Sequence, residues 1–96
     1  GKVYGAKDMQ LLAESALDFW LTTGRFNTEF EARLSKYIGV DHALTVNSGS
    51  SANLVAFSTL TSHYLRNGAV KAGDEMITVA TGFPTTINPA LQYGIV

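Results

Sequence analysis

The first apolar pattern of the chain has the spacing of a helix. In residues 7–20, KDMQLLAESALDFW, apolar side chains recur at intervals of three or four residues, so they share one face. These positions are Met9, Leu12, Ala13, Ala16, Leu17 and Trp20. The pattern predicts a first amphipathic helix over this stretch.

A second helix is predicted after the break at Gly24. Asn27 is a favoured N-cap residue, and Gly39 is a favoured residue just past a helix end. Between them, the apolar positions again share one face, and they are Phe30, Leu34, Tyr37 and Ile38.

A third helical stretch, SANLVAFSTLTSHYLRN, is apolar around most of its circumference. The pattern predicts a helix of about four turns over residues 51–66. A helix of this kind needs neighbours on several sides, so we expect it to be buried.

Two short stretches have strand character and flank this third helix. DHALTV, residues 41–46, is the first, and the second follows a Gly-Asp turn and ends near Ala80. Pro84 is placed where the first turn of a short helix tolerates proline, and the final Ile-Val begins another apolar run. The order strand, helix, strand, helix predicts an α/β fold with a mainly parallel sheet.

Two full strands are too few to cover the third helix. We therefore expect this chain to be part of a larger domain, truncated at Val96. The predicted division is an N-terminal helical segment, residues 1–40, followed by the start of an α/β domain, residues 41–96.

Composition narrows the class of protein. With 46% apolar and 16% charged residues, the chain has the composition of a packed globule. Seven basic and eight acidic residues give a net charge of −1 without a basic stripe, which argues against nucleic acid as a partner. No cysteine is available for a disulfide or a thiolate metal site, and no metal site is expected. Without a membrane-length apolar run or a signal sequence, we expect a cytoplasmic protein.

The chemistry-bearing residues follow the two predicted strands. Ligands in α/β sheets bind beyond the carboxyl ends of parallel strands, so the loops NSGSSA, residues 47–52, and TGFPTT, residues 81–86, should converge. The first loop combines backbone N–H groups with serine hydroxyls at a helix start, which suits an anion such as phosphate. An over-capped helix start is an equally good interpretation. The loop is neither a Walker loop nor a dinucleotide turn.

Two aromatic features have both a structural and a functional interpretation. Phe83, held extended by Pro84, could stack on a planar cofactor, although the residues alone favour a core position. The loop WLTTGR, residues 20–25, carries more functional groups than a linker needs, or it is a helix cap beside a packed Trp20. His42 and His63 have no partner at a spacing that indicates catalysis.

Four motifs together resemble one family. WLTTGRF, NSGSSANL, GDEMITVATGFPTT and INPALQYG occur in the order and spacing of the DegT/StrS-type (DegT/DnrJ/EryC1/StrS) sugar aminotransferases and dehydratases, which are vitamin B6 enzymes. The resemblance implies the three-layer large domain of a fold-type I transferase that depends on pyridoxal 5′-phosphate (PLP). The pairing of SGSSAN with GFPTT is most similar to the sugar 3-dehydrases of the family, which use the pyridoxamine form (PMP).

The resemblance implies a reaction and two alternatives. The implied activity is removal of the C3 hydroxyl from a CDP-4-keto-6-deoxyhexose, in the biosynthesis of 3,6-dideoxysugars of lipopolysaccharide or other surface polysaccharides. The first alternative is a nucleotide-sugar 4-aminotransferase of the same family. The second, from another class, is a non-enzymatic α/β module that binds a phosphorylated ligand.

The resemblance also assigns residues and partners. It implies that the cofactor is bound by Gly49, Ser50 and Ser51 at its phosphate and by Phe83 at its ring. A loop near the substrate or the dimer interface would comprise Thr22, Thr23, Gly24 and Arg25. The catalytic base, lysine in aminotransferases and histidine in 3-dehydrases, is expected beyond Val96. A homodimer and an electron-donating reductase are implied, and any iron–sulfur cluster would need cysteines from outside this chain.

Overall fold

The computed structural model describes all 96 residues and is built from helices joined by turns and extended segments. The elements are α1, Ala6–Leu17; α2, Arg25–Ile38; α3, Gly49–Leu60; a 3₁₀ helix, His63–Gly68; and α4, Pro84–Gln92. None of these helices has the length and apolar character needed to span a membrane. The chain forms two compact units, Gly1–Thr45 and Val46–Val96, which are described in turn.

Helix α1 is shorter than its apolar pattern predicts. It begins where the Asp8 carboxylate accepts the N–H of Gly5 at 2.7 Å. It ends at Leu17, and Phe19 has a left-handed backbone with φ of 48°. A left-handed residue cannot continue a right-handed helix, so Trp20 lies outside α1 rather than on its apolar face.

The predicted N-cap of the second helix is wrong, whereas its predicted end is confirmed. Gly24 is the N-cap of α2, and its carbonyl accepts the N–H of Thr28 at 3.1 Å. Asn27 therefore lies within the first turn. Gly39 ends the helix with φ of 82°, and its N–H donates to the carbonyl of Ser35 at 2.9 Å. This is the left-handed conformation that glycine adopts without a steric penalty.

Residues 41–46 do not form the predicted strand. Their backbone is not paired in a ladder, and the segment is instead attached to α2 through Thr45. The Thr45 N–H donates to the Glu31 carboxylate at 2.7 Å. The Thr45 hydroxyl lies 2.7 Å from both the Glu31 carboxylate and the Asn27 side-chain oxygen, although it has one proton to donate. These bonds, the backbone bond first, lower the pKa of Glu31.

Helix α3 differs from prediction in both length and burial. It ends at Leu60, where Thr61 and Ser62 donate their N–H groups to carbonyls three residues back, at 3.2 Å each. The 3₁₀ helix that follows is interrupted by Arg66, whose φ is 51°. No residue of α3 is buried: Leu54, for example, is 38% exposed. Helix α4 covers one side of α3, and no sheet covers the others.

Helix α4 begins at Pro84, as the sequence predicts. Proline has no N–H to leave unpaired at the first helical position, and its fixed φ suits the helix. After α4 the chain turns at Gly94, with φ of 72°, and Ile95 donates its N–H to the carbonyl of Ala90 at 3.0 Å. Ala90 and Ile95 are buried, with exposed fractions of 2% and 4%, and Pro89 beside them is buried as well.

A short pairing between residues 73–76 and 94–96 has a parallel arrangement. Gly73 donates to Gly94, Val96 to Asp74 and Met76 to Val96, each through backbone groups 2.9 Å apart. The pairing advances in the same direction along both segments. Neither segment is long enough to be assigned as a strand, and Ile77, just beyond, is 100% exposed. The α/β fold with a parallel sheet therefore remains a prediction for this chain.

Candidate functional site

The loop before α3 leaves backbone donors unpaired. Ser48 is the N-cap, and its hydroxyl oxygen accepts the N–H of Ser51 at 3.2 Å. Ala52 donates the first intrahelical bond, to the carbonyl of Ser48, at 3.0 Å. The N–H groups of Gly49 and Ser50 thus lack an acceptor in the helix and lie at its positive end. One donor is capped and two are unpaired, so both interpretations of this loop stay open.

Gly49 faces open space. A Cβ atom built on this residue would meet no other atom within 4 Å, and its φ is not in the left-handed region. The fold of the chain therefore does not require glycine at this position. What glycine provides is room for another group to approach the main chain at the two unpaired N–H groups.

The loops before α3 and α4 lie together, as predicted. Asn53 of α3 donates its side-chain N–H to the backbone carbonyl of Thr85 in α4 at 3.3 Å. A cavity of about 200 Å³ lies between the two helices. It is lined by Ser50, Ser51 and Leu54 from α3 and by Thr85, Asn88, Pro89 and Gln92 from α4.

The polar residues of α4 in this cavity were not predicted. Thr85, Asn88 and Gln92 are spaced three and four residues apart, so they share one face of the helix. That spacing is the signal that could have identified them. It could not have shown that this face is turned toward Ser50 and Ser51.

Phe83 is an exposed ring at the start of α4. It is the N-cap residue, with an extended backbone at φ of −72° and ψ of 145°, and it is 80% exposed. The extended conformation is the one that the following Pro84 predicts. The ring is therefore not packed against the rest of this chain.

The loop Thr22–Arg25 belongs to the first unit. Three of its residues, Thr22, Thr23 and Gly24, line a cavity of about 370 Å³ together with Ser15, Asp18, Trp20, Phe26 and Asn27. The indole N–H of Trp20 donates to the carbonyl of Thr23 at 2.8 Å. A Cβ on Gly24 would lie 3.2 Å from Trp20 Cδ1, so the indole packs closely against this glycine.

Arg25 is already paired within the first unit. Its Nε donates to Asp18 Oδ2 at 2.7 Å, and Nη2 lies 3.9 Å from Glu14 Oε2. The hydrogen bond to Asp18 is the main reason that the pKa of Arg25 is raised. The guanidinium also lies 4.1 Å from the centre of the Phe26 ring. These contacts fix the end of the loop to the end of α1.

The second unit has the groups that a phosphorylated, planar cofactor needs. Unpaired N–H groups and serine hydroxyls suit the phosphate, the open face of Gly49 admits it, and the exposed Phe83 ring suits a heteroaromatic ring. No cluster of three or more His, Cys, Asp or Glu side chains is positioned to hold a metal ion.

Comparison with known proteins places the chain in the same family as its motifs. Residues 3–96 match the DegT/DnrJ/EryC1/StrS aminotransferase family, and the chain belongs to that family. It is 62% identical over 96 residues to lipopolysaccharide biosynthesis protein RfbH of Salmonella typhimurium, covering 100% of this chain and 22% of that protein. It is 47% identical over 96 residues to dTDP-4-dehydro-2,6-dideoxy-D-glucose 3-dehydratase of Saccharopolyspora spinosa, covering 100% of this chain and 21% of the enzyme.

Among solved structures, the chain is similar to a GDP-4-keto-6-deoxymannose-3-dehydratase with a trapped PLP-glutamate geminal diamine. The TM-score is 0.87 at 27% identity, covering 99% of this chain and 24% of that one. The chain thus spans about a fifth of the length of the relatives it matches.

Proposed function

We propose that this chain is the cofactor-binding part of a longer PLP- or PMP-dependent enzyme that removes the C3 hydroxyl from a nucleotide-linked 4-keto-6-deoxyhexose. The observation that carries the proposal is the placement of unpaired N–H groups at Gly49 and Ser50 next to the helix that begins at the exposed Phe83. The similarity to two proteins named as sugar 3-dehydratases supports this reaction.

Different residues of the second unit would bind the phosphate and the ring of the cofactor. The N–H groups of Gly49 and Ser50, with the hydroxyls of Ser50 and Ser51, would bind the phosphate. Phe83 would lie against the pyridine ring and exclude water from that face. In this assignment Ser48 holds Ser51 in the first turn of α3 and thereby orients its hydroxyl, since the two side-chain oxygens lie 3.2 Å apart.

When bound, the cofactor would supply a ring that accepts the electrons released when a proton is removed from its reactive carbon, and those electrons would then permit expulsion of the C3 hydroxyl. The residues of this chain bind and orient it. In this proposal, the base that moves the proton and the group that pairs with the pyridine nitrogen come from the rest of the enzyme. The sugar nucleotide is proposed to carry CDP, from the resemblance of its motifs; the named relatives use dTDP and GDP sugars.

The remaining parts of the proposal concern the whole enzyme. The loop of Thr22, Thr23, Gly24 and Arg25 is assigned to the substrate site or the dimer interface, on the basis of its motif. A homodimer, an electron-donating reductase and a cytoplasmic location belong to the same proposal. So does the division into a helical segment, residues 1–40, and the start of a PLP-binding domain, residues 41–96.

The second candidate is a nucleotide-sugar 4-aminotransferase, favoured by the aminotransferase chemistry for which the family is named. The two activities share the first steps and differ in the product. A 3-dehydratase releases the C3 hydroxyl, whereas an aminotransferase leaves an amino group on C4. The residue at the cofactor's reactive carbon, histidine or lysine, is expected to differ accordingly.

The test is to identify the product of the complete enzyme. Incubation with CDP-4-keto-6-deoxyglucose, PMP and a reducing partner, followed by mass spectrometry, should show loss of one oxygen at C3. A 4-amino sugar formed with an amino donor would instead establish the aminotransferase. No turnover, together with phosphate-ligand binding that is unaffected by Phe83→Ala, would favour the non-enzymatic module.

A further inference from the structure

Helices α3 and α4 are joined by side chains at both ends of their contact. Near their N-termini, Asn53 donates to the carbonyl of Thr85 at 3.3 Å. Near their C-termini, the hydroxyls of Ser58 and Tyr93 lie 2.7 Å apart, and the Tyr93 ring stacks on Phe57 at 5.8 Å between centres. The C-terminal connection includes an aromatic pair, whereas the N-terminal one is a single amide hydrogen bond.

Both partners of the Asn53 hydrogen bond lie close in sequence to proposed cofactor-binding residues. Asn53 lies three residues after Ser50, on the next turn of α3. On α4, Thr85 follows Phe83 by two residues, and the Phe83 carbonyl accepts the N–H of Thr86 at 3.0 Å. Phe83 is thus part of the same hydrogen-bonded turn as the carbonyl that Asn53 holds.

Apart from this hydrogen-bonded turn, few contacts within the chain fix the position of Phe83. Its side chain is 80% exposed, and it makes no aromatic contact with another ring of the chain. The chain's own restraint on the ring is therefore its backbone, which is extended before Pro84 and fastened to the first turn of α4. A bond that places this turn relative to Ser50 also places the Phe83 ring relative to the phosphate donors.

We propose that Asn53 is a positioning residue that sets the placement of the Phe83 ring relative to the N–H groups of Gly49 and Ser50. It acts through the carbonyl of Thr85 and does not itself contact the cofactor. This inference rests on the proposed function, because it takes the Ser50 and Phe83 assignments as given. An amide is suited to the task, since its N–H reaches a carbonyl, whereas leucine of similar size offers no donor.

The test is a double-mutant cycle in the complete enzyme, with PMP affinity measured by equilibrium dialysis. Asn53→Leu should weaken PMP binding about two- to tenfold, the effect of losing one modest hydrogen bond. In a Phe83→Ala background the same change should cause no further weakening, because the ring it positions is gone. The visible circular dichroism of bound PLP should change in Asn53→Leu, since it reports how the ring is held.

Ser58→Ala is the matched control. It removes the hydroxyl partner of Tyr93 and leaves the Asn53 bond in place, so PMP affinity and the visible spectrum should stay as in the parent enzyme. Equal losses of PMP affinity in Ser58→Ala and Asn53→Leu would show that the loss comes from weaker packing of α3 against α4 in general. That result would overturn the inference.

The cycle separates this inference from the proposed function. If Phe83→Ala weakens PMP binding but Asn53→Leu has no effect, or an equal effect with and without Phe83, the inference fails and the proposed site stands. If Phe83→Ala itself leaves PMP affinity unchanged, the stacking assignment fails and the inference fails with it.

Discussion

At the scale of single residues, Gly49 is the sharpest probe of the proposed phosphate site. Its side-chain position is open, since a Cβ atom there would meet no other atom within 4 Å. Gly49→Val should nevertheless weaken PMP binding in the complete enzyme, because its methyl groups would occupy the approach to the unpaired N–H groups. The loss should exceed that of Ser50→Ala, which removes one hydroxyl bond worth about 0.5–1.5 kcal/mol.

Equilibrium dialysis of both variants with PMP measures this order. Pyridoxamine without its phosphate is the control ligand, and both substitutions should affect it less. Normal PMP affinity in Gly49→Val would place the phosphate elsewhere.

At the scale of elements, the end of α2 depends on the left-handed conformation of Gly39. Gly39→Ala should destabilise the protein by about 1–2 kcal/mol, because a Cβ is strained at φ of 82° even in open space. Gly68→Ala is the matched control, since that glycine also has open space but no left-handed φ. Denaturant unfolding of the complete enzyme should show the loss in the first variant alone. Equal stability of the two variants would contradict this account of the helix end.

The attachment of Thr45 to α2 should depend on pH. Hydrogen bonds from Thr45 lower the Glu31 pKa from its ordinary value of 4.5, so they favour the ionised form. Their contribution to stability is present above pH 4.5 and is lost as the pH falls through the lower folded-state pKa. Glu31→Gln should therefore lower the melting temperature at neutral pH, and the difference from the parent should shrink in acid.

Melting temperatures of both proteins between about pH 7 and pH 3 test this expectation. Glu29→Gln is the control, because Glu29 pairs with Arg33 on the exposed side of the same helix and does not contact Thr45. A difference for Glu31→Gln that stays constant down to the lowest pH would show that the charge of Glu31 has no part in holding Thr45.

The sequence predicts the start or end of a helix correctly when a single residue determines it through its own backbone conformation. Gly39 and Pro84 act through their own backbone conformation, and both predictions are confirmed. The N-cap prediction for Asn27 is wrong, and what its side chain does instead is not local, because its oxygen lies 2.7 Å from the hydroxyl of Thr45, 18 residues away. The predicted helix over residues 51–66 is too long, because α3 ends at Leu60 and Ser62 has an extended backbone with ψ of 134°, which its residue type does not predict.

The residues of the candidate site also fall into those that local sequence predicts and those that depend on packing. The predictions for Ser50 and Phe83 rest on two loops with a recognisable composition. The contribution of Asn53 and Asn88 depends on which faces of α3 and α4 meet, and this information lies in the packing of two elements rather than in either one alone.

At the scale of the whole molecule, we expect residues 1–96 expressed alone to be catalytically inactive and to melt without a sharp transition. The buried apolar residues are small in number, namely Pro89, Ala90 and Ile95, whereas large apolar side chains such as Trp20 and Leu44 are 66% and 72% exposed. So little burial cannot offset the entropy of ordering the chain. Far-UV circular dichroism during heating and an assay with a CDP-4-keto-6-deoxy sugar measure both properties. A sharply melting, active monomer would overturn this expectation and the proposed function together.

The extended segment after Met76 has a consequence for handling the chain in isolation. Ile77 and Val79 are 100% and 69% exposed, and their backbone groups form no ladder with another segment. An uncharged, β-branched stretch with free backbone donors and acceptors is a template onto which a strand of another molecule can add. The isolated chain should therefore self-associate through intermolecular β-structure as its concentration rises, so solubility, more than helix content, will limit work with it.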